Sequence, residues 1–192
     1  MGGYNPGRGF ETGSPFDQLR GSRRHKGVDF RAPAGTVIPV AADGVVVGRG
    51  NHDDYGNAAI VQHVDSASAN VKFTLYAHMP NLDSTPVLGT RVTKGQTIGV
   101  VGSTGRSTGP HLHFELISLT AAEAPWSETK TWSGGATGIL GSTGRIDPLN
   151  DANWGAIDVY RGETSVSSAA PGAGTQAVAN LCFLDGDGPC LA

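Results

Sequence analysis

Short runs rich in β-branched and aromatic residues, each stopped by a turn bearing glycine or asparagine, recur through the first two-thirds of this 192-residue chain. That punctuation limits the fold most, because brief strands joined by tight turns close into antiparallel sheets and leave no stretch for a long helix. The runs are Thr36 to Val40, Gly44 to Gly48, Ala58 to Val64, Lys72 to His78, Arg91 to Thr93, Thr97 to Val101 and His111 to Leu119. Ala42-Asp43-Gly44, Tyr55-Gly56-Asn57, Lys94-Gly95-Gln96 and Ser103-Thr104-Gly105 supply turns, since Gly and Asn tolerate positive φ. Sustained helical periodicity is missing throughout. The 29 glycines and the 16% charged content suit the same reading. The expectation is an all-β, antiparallel fold, a sandwich or small barrel-like arrangement with long loops framing a groove.

The length suits one domain, expected over 1–160, with an appendage over 161–192. Ala121 to Thr143 reads as a long loop; it holds Trp126, Trp132 and a Gly-rich run, and the two tryptophans suit a groove wall. Ile146-Asp147-Pro148-Leu149 reads as a return to the domain edge. From about Arg161 the chain takes on Ser/Ala/Gly/Thr linker composition. Cys182 and Cys190, the only cysteines, either stay as free thiols or close a short disulfide loop, which would stabilise the tail by about 2–3 kcal/mol. Asp185 and Asp187 between them are too few for a calcium loop.

A net charge of −3 argues against a nucleic-acid partner, and Arg23-Arg24 with Lys26 is too small a basic cluster to reverse that. No run is long and apolar enough to span a membrane, and the first residues lack the apolar centre of a secretory signal. Export would need another route or a segment outside this sequence.

Chemistry enters with Ser107-Thr108-Gly109-Pro110-His111-Leu112-His113-Phe114-Glu115-Leu116. On a strand His111, His113 and Glu115 share one face, and Leu112, Phe114 and Leu116 share the other, which can pack a core. Taken alone, two solvated histidines on an edge strand is the simpler reading. The six histidines also include His25, four residues before Asp29, with Gly27 between them to let the backbone bend. Joined to His111 and His113, that pair makes a zinc-type donor set, for neutral imidazole and carboxylate are ligands zinc accepts.

Two Gly-rich readings fail. Residues 102–109 look like a phosphate loop but lack the Gly-Lys-Ser/Thr ending and a following helix. Residues 92–101 resemble half of a biotinyl or lipoyl carrier, but the next turn is Ser103-Thr104-Gly105, with no lysine to modify.

Residues from about Phe10 to Leu149 resemble the lysostaphin-type, or LytM-type, zinc metalloendopeptidases that cut peptide cross-bridges in bacterial peptidoglycan. The resemblance is carried by His25-Lys26-Gly27-Val28-Asp29, by Tyr76-Ala77-His78-Met79, and by Gly102-Ser103-Thr104-Gly105 running into Thr108-Gly109-Pro110-His111-Leu112-His113-Phe114-Glu115. It implies one zinc ion held by His25, Asp29 and His113, with His78 and His111 as the catalytic pair. The implied substrate is the D-alanyl cross-link between stem peptides, with a glycyl-glycine bridge as the alternative bond. A non-catalytic activator of other wall hydrolases is the alternative role.

The implied place of action is the periplasm or cell wall, with the protein a monomer. Delivery as a phage component or an injected effector would bring in a cognate immunity protein. Glu115 reads either as a partner orienting a ligand imidazole or as an idle exposed carboxylate. His63 is expected to be structural and His52 solvated. Some relatives carry a tyrosine a few residues before the first zinc histidine, to which assistance of the oxyanion is attributed. Here that place is Leu19-Arg20-Gly21, and Tyr55 is the substitute candidate.

Overall fold

The structure is a computed structural model that describes residues 2–66, 68–120 and 143–162. The loop with Trp126 and Trp132, and the tail with Cys182 and Cys190, lie outside the described residues. Twelve strands are present among those described: β1 (Glu11–Thr12), β2 (Leu19–Arg20), β3 (Arg23–Arg24), β4 (Val28–Arg31), β5 (Val37–Pro39), β6 (Gly44–His52), β7 (Gly56–Val64), β8 (Asn70–Met79), β9 (Arg91–Val92), β10 (Thr97–Val100), β11 (His111–Thr120) and β12 (Arg145–Ile146). Among the described residues the helical content is one short 3₁₀ turn, Asp151–Trp154. Every strand pair is antiparallel. The all-β expectation holds.

The main sheet runs β1-β4-β11-β8-β7-β6-β9, with β12 also on β11; β5 pairs with β10 and β2 with β3 as separate two-stranded ladders. Strand β11 is the spine. One edge pairs with β8 from His113 to Thr120, and the other with β4 at its start and β12 further on. Leu112, Phe114 and Leu116 point to the face that packs with Ile38 of β5, Ile98 of β10, Tyr4 and Trp154 in the larger core. Tyr4 stacks on Phe114 with ring centroids 4.1 Å apart.

The opposite face departs from simple alternation. His111, His113 and Glu115 occupy it as expected, but Ile117 and Leu119 continue it into a second apolar cluster with Ile60, Phe73 and Leu75. Strand β11 is therefore buried on both faces over its second half. No solvated edge strand carries these histidines.

Strand β4 was not legible as a strand. Gly27 just before it has a different task from bending the chain. A Cβ on Gly27 would lie 2.2 Å from the Phe114 carbonyl oxygen, so a side chain there would push β4 off β11. Among the described residues no helix is long and apolar enough to cross a membrane.

Candidate metal centre and cleft

The register of β4 on β11 places Asp29 directly opposite His113, and cross-strand partners on one face lie close enough for their side chains to meet. His25 joins them from the segment after the β2–β3 hairpin, which is tied back by a backbone bond from Asp17 N–H to the His25 carbonyl (2.9 Å). Three donor atoms then converge. Asp29 Oδ1 is 2.9 Å from His113 Nδ1 and 3.1 Å from His25 Nε2, and the two nitrogens are 3.1 Å apart. All three residues are buried.

The other ring nitrogens decide what those atoms can do. His25 Nδ1–H donates to the Pro15 carbonyl (2.8 Å), and His113 Nε2–H donates to Glu115 Oε1 (3.0 Å). Both partners only accept, so each imidazole turns a lone pair towards the shared point. Two lone pairs and a carboxylate oxygen at such separations repel one another unless a cation lies between them. A tetrahedral ion with bonds of about 2.0–2.1 Å would set its ligand atoms about 3.3 Å apart, close to this triangle. The residues fit zinc.

The electrostatics agree. Without an ion, protons can take its place at the triangle: burial alone would raise the Asp29 carboxyl, but the hydrogen bonds that His113 and His25 then donate, with the His113 charge and Arg20, hold it well below the usual range. Burial alone would lower His113, but Asp29 and Glu115 outweigh it and push the ring up to about 9, so that a proton and a cation compete for Nδ1. Together the pair attracts positive charge. Arg20 Nη2 donates to the second oxygen, Asp29 Oδ2, at 2.5 Å, leaving Oδ1 for the shared point.

Glu115 is fully buried. Besides the bond from His113 it accepts from the Tyr55 hydroxyl (2.7 Å) and from Arg145 Nε of β12 (2.7 Å). Burial would raise its pKa; the bonds from His113 and Tyr55 and the charges of His113 and Arg145 outweigh that and lower it. Of the two readings for Glu115, the orienting one holds: it fixes the His113 tautomer and ring plane. Tyr55 is not the oxyanion substitute the sequence offered, because its hydroxyl is committed to Glu115 beside the triangle.

His78 and His111 flank the triangle, their rings 4.6 Å apart. His78 Nδ1–H donates to the Thr104 carbonyl and His111 Nδ1–H to the Gly109 carbonyl, both at 2.8 Å, which leaves each Nε2 free to work. His111 Nε2 is 3.7 Å from Asp29 Oδ1. Burial, reinforced by the charges of His113 and His111, lowers His78 to about 4 against the smaller opposing pull of its Thr104 bond, so it is neutral at pH 7.

His78 holds φ at +66°, a left-handed conformation uncommon for a residue other than glycine. The turn that fixes it depends on two glycines at positive φ, Gly56 and Gly105, packed so closely that a Cβ on Gly105 would lie 2.2 Å from Gly56 N. A cleft of about 1100 Å³ opens beside Asp29, His78 and His111.

The remaining histidines lie apart from this set. His63 is fully buried, bonded to the Asp43 carbonyl (2.9 Å) and Thr74 Oγ1 (2.8 Å), as a structural residue should be. His52 accepts from Asp54 N–H (3.2 Å) and packs near Tyr55, which makes it better anchored than a solvated side chain. Sequence reasoning missed Arg20, Thr104 and Arg145.

The sequence profile of peptidase family M23 matches residues 23–125, a stretch that contains all five candidate residues. The DD-carboxypeptidase/endopeptidase Mpg of Neisseria meningitidis serogroup B is 46% identical over 93 residues, covering 48% of this chain and 20% of Mpg. The peptidoglycan DD-endopeptidase ShyA of Vibrio cholerae is 44% identical over 93 residues, with the same coverage, 48% and 20%. This chain thus spans about a fifth of the length of these curated relatives.

Among solved structures, the catalytic domain of a point mutant of the prophage-encoded M23 protein EnpA from Enterococcus faecalis aligns with a TM-score of 0.57 at 26% identity, covering 77% of this chain and 95% of that one. A zinc-containing peptidase from Vibrio cholerae aligns with a TM-score of 0.51 at 31% identity, covering 60% and 36%.

Proposed function

We propose that this chain, which belongs to peptidase family M23, is a zinc-dependent endopeptidase that hydrolyses peptide cross-links of bacterial peptidoglycan, with the D-alanyl cross-link between stem peptides as its bond. The observation that carries this reading is the triangle of His25 Nε2, Asp29 Oδ1 and His113 Nδ1, with two further imidazole nitrogens free beside it. Relatives named for DD-endopeptidase activity support the choice of bond. The catalytic unit is assigned to 1–160 and the remainder to an accessory tail, with action in the periplasm or wall.

His25, Asp29 and His113 would hold the ion. When bound, zinc supplies a Lewis acid that polarises the scissile carbonyl and lowers the pKa of a coordinated water to about 7. The chain's own groups supply the rest. His78, neutral and with its Nδ1–H held on Thr104, can take a proton on Nε2 and return it to the leaving amine. His111, held on Gly109, can donate from Nε2 when protonated to the oxygen that gains charge. Glu115, Tyr55 and Arg145 keep the His113 ring fixed while this happens.

An activator without catalysis would tolerate a broken site, and the complete donor set argues against that role. The test is to incubate purified, zinc-loaded protein with sacculi and identify soluble fragments by mass spectrometry. Fragments cut at the D-alanyl cross-link, lost on chelation, are the expected result; sacculi of several wall chemistries left intact would count against it.

A further inference from the structure

The cleft beside the triangle carries more positive charge than a chain of net charge −3 would lead one to expect. Arg20, Arg31 and Arg106 line it, against Glu11 as the one carboxylate besides Asp29. These arginines differ. Arg20 is spent on Asp29, and Arg106 approaches Asp54 only loosely, at 3.9 Å with both side chains largely exposed. Arg31 has no hydrogen bond or ion pair through its side chain among the described residues, although Glu11 is its register partner on β1.

Its placement is built into the fold. Arg31 follows Asp29 by two residues on β4, so both face the cleft, about 7 Å apart along the strand. Its register partner on β11 is His111. The aliphatic stem runs over Gly13, where a Cβ would lie 3.3 Å from Arg31 Cγ and 3.4 Å from Nε, so the absent side chain leaves a groove for it. A guanidinium that lines the cleft without a bonding partner among the described residues suits the planar geometry of a carboxylate.

We infer that Arg31, with Arg106 contributing charge at the same cleft, forms a subsite for a free carboxylate of the substrate within one or two residues of the scissile bond. The preferred substrate is then an acidic peptide. A plain oligoglycine bridge offers no such group. The inference rests on the endopeptidase reading and sharpens it.

The test uses two synthetic cross-linked peptides that differ only in bearing a carboxylate or a primary amide next to the cleaved bond. The zinc-loaded 192-residue chain should favour the carboxylate in kcat/KM by about tenfold to a hundredfold, the scale of one charge-assisted bond. Arg31→Gln should bring the ratio near one, chiefly through KM of the carboxylate peptide, and Arg31→Lys should restore part of it. No preference in the parent protein, or a ratio unchanged by Arg31→Gln, overturns the subsite. If neither peptide is cut, the endopeptidase reading fails instead, and calorimetric binding of the same two peptides still decides the subsite by the same ratio.

Discussion

His63 and His113 are both buried histidines on neighbouring parts of one sheet, and both have their two ring nitrogens placed by the fold. The difference lies in what faces the second nitrogen. For His63 it is a threonine hydroxyl, which can donate or accept to suit, so the site is closed and complete. For His113 it is a carboxylate and another imidazole lone pair, an arrangement of acceptors that calls for a cation. Burial and hydrogen bonding alone therefore do not mark a functional histidine. Convergence of lone pairs does.

The contrast can be broken most severely at its functional end. Replacing His113 with Ala removes one of the three proposed ligands, and bound zinc should fall from about one equivalent to near none with loss of all turnover; metal analysis after gel filtration reads this. His78→Ala separates holding from working: turnover should drop by about 10²- to 10⁴-fold while zinc stays bound. Loss of the metal in that variant would assign His78 to the ligands instead.

Glu115→Gln keeps the shape but removes the charge that orients His113, and zinc affinity should weaken by about 10- to 100-fold in a chelator competition. Unchanged affinity would make Glu115 a packing residue.

The smallest effect is at His63 and concerns stability. Burial lowers its pKa to about 4, below the unfolded 6.5, despite the opposing bond and charge at Asp43. The folded state therefore disfavours the proton: the stabilisation is complete above pH 6.5 and is lost as pH falls towards 4. At pH 5 this amounts to about 2 kcal/mol. Denaturant unfolding of the zinc-loaded protein at pH 7 and pH 5 should show the decline, and His63→Gln should flatten it. Equal slopes in both proteins would mean that His63 is not the titrating group.

The two histidines were unequally legible in sequence. His113 was marked by alternation along β11 and by its spacing from His111, and Asp29 by its place after His25, because these relations are local. The closing partners of both sites come from distant backbone or unpatterned side chains. Thr104 reaches His78 through a carbonyl, which no side-chain motif encodes, and Arg145 reaches Glu115 across 30 residues of sequence. Alternation also failed beyond Glu115, since Ile117 and Leu119 are buried on the face that carries the imidazoles. A strand covered on both sides has no polar face to announce it.

The central claim is that His25, Asp29 and His113 form one metal centre. Anomalous diffraction at the zinc edge from crystals grown with zinc tests it most directly. The account predicts a single strong peak within bonding distance of His25 Nε2, Asp29 Oδ1 and His113 Nδ1; a peak elsewhere, or none at that triangle in zinc-saturated crystals, would contradict it.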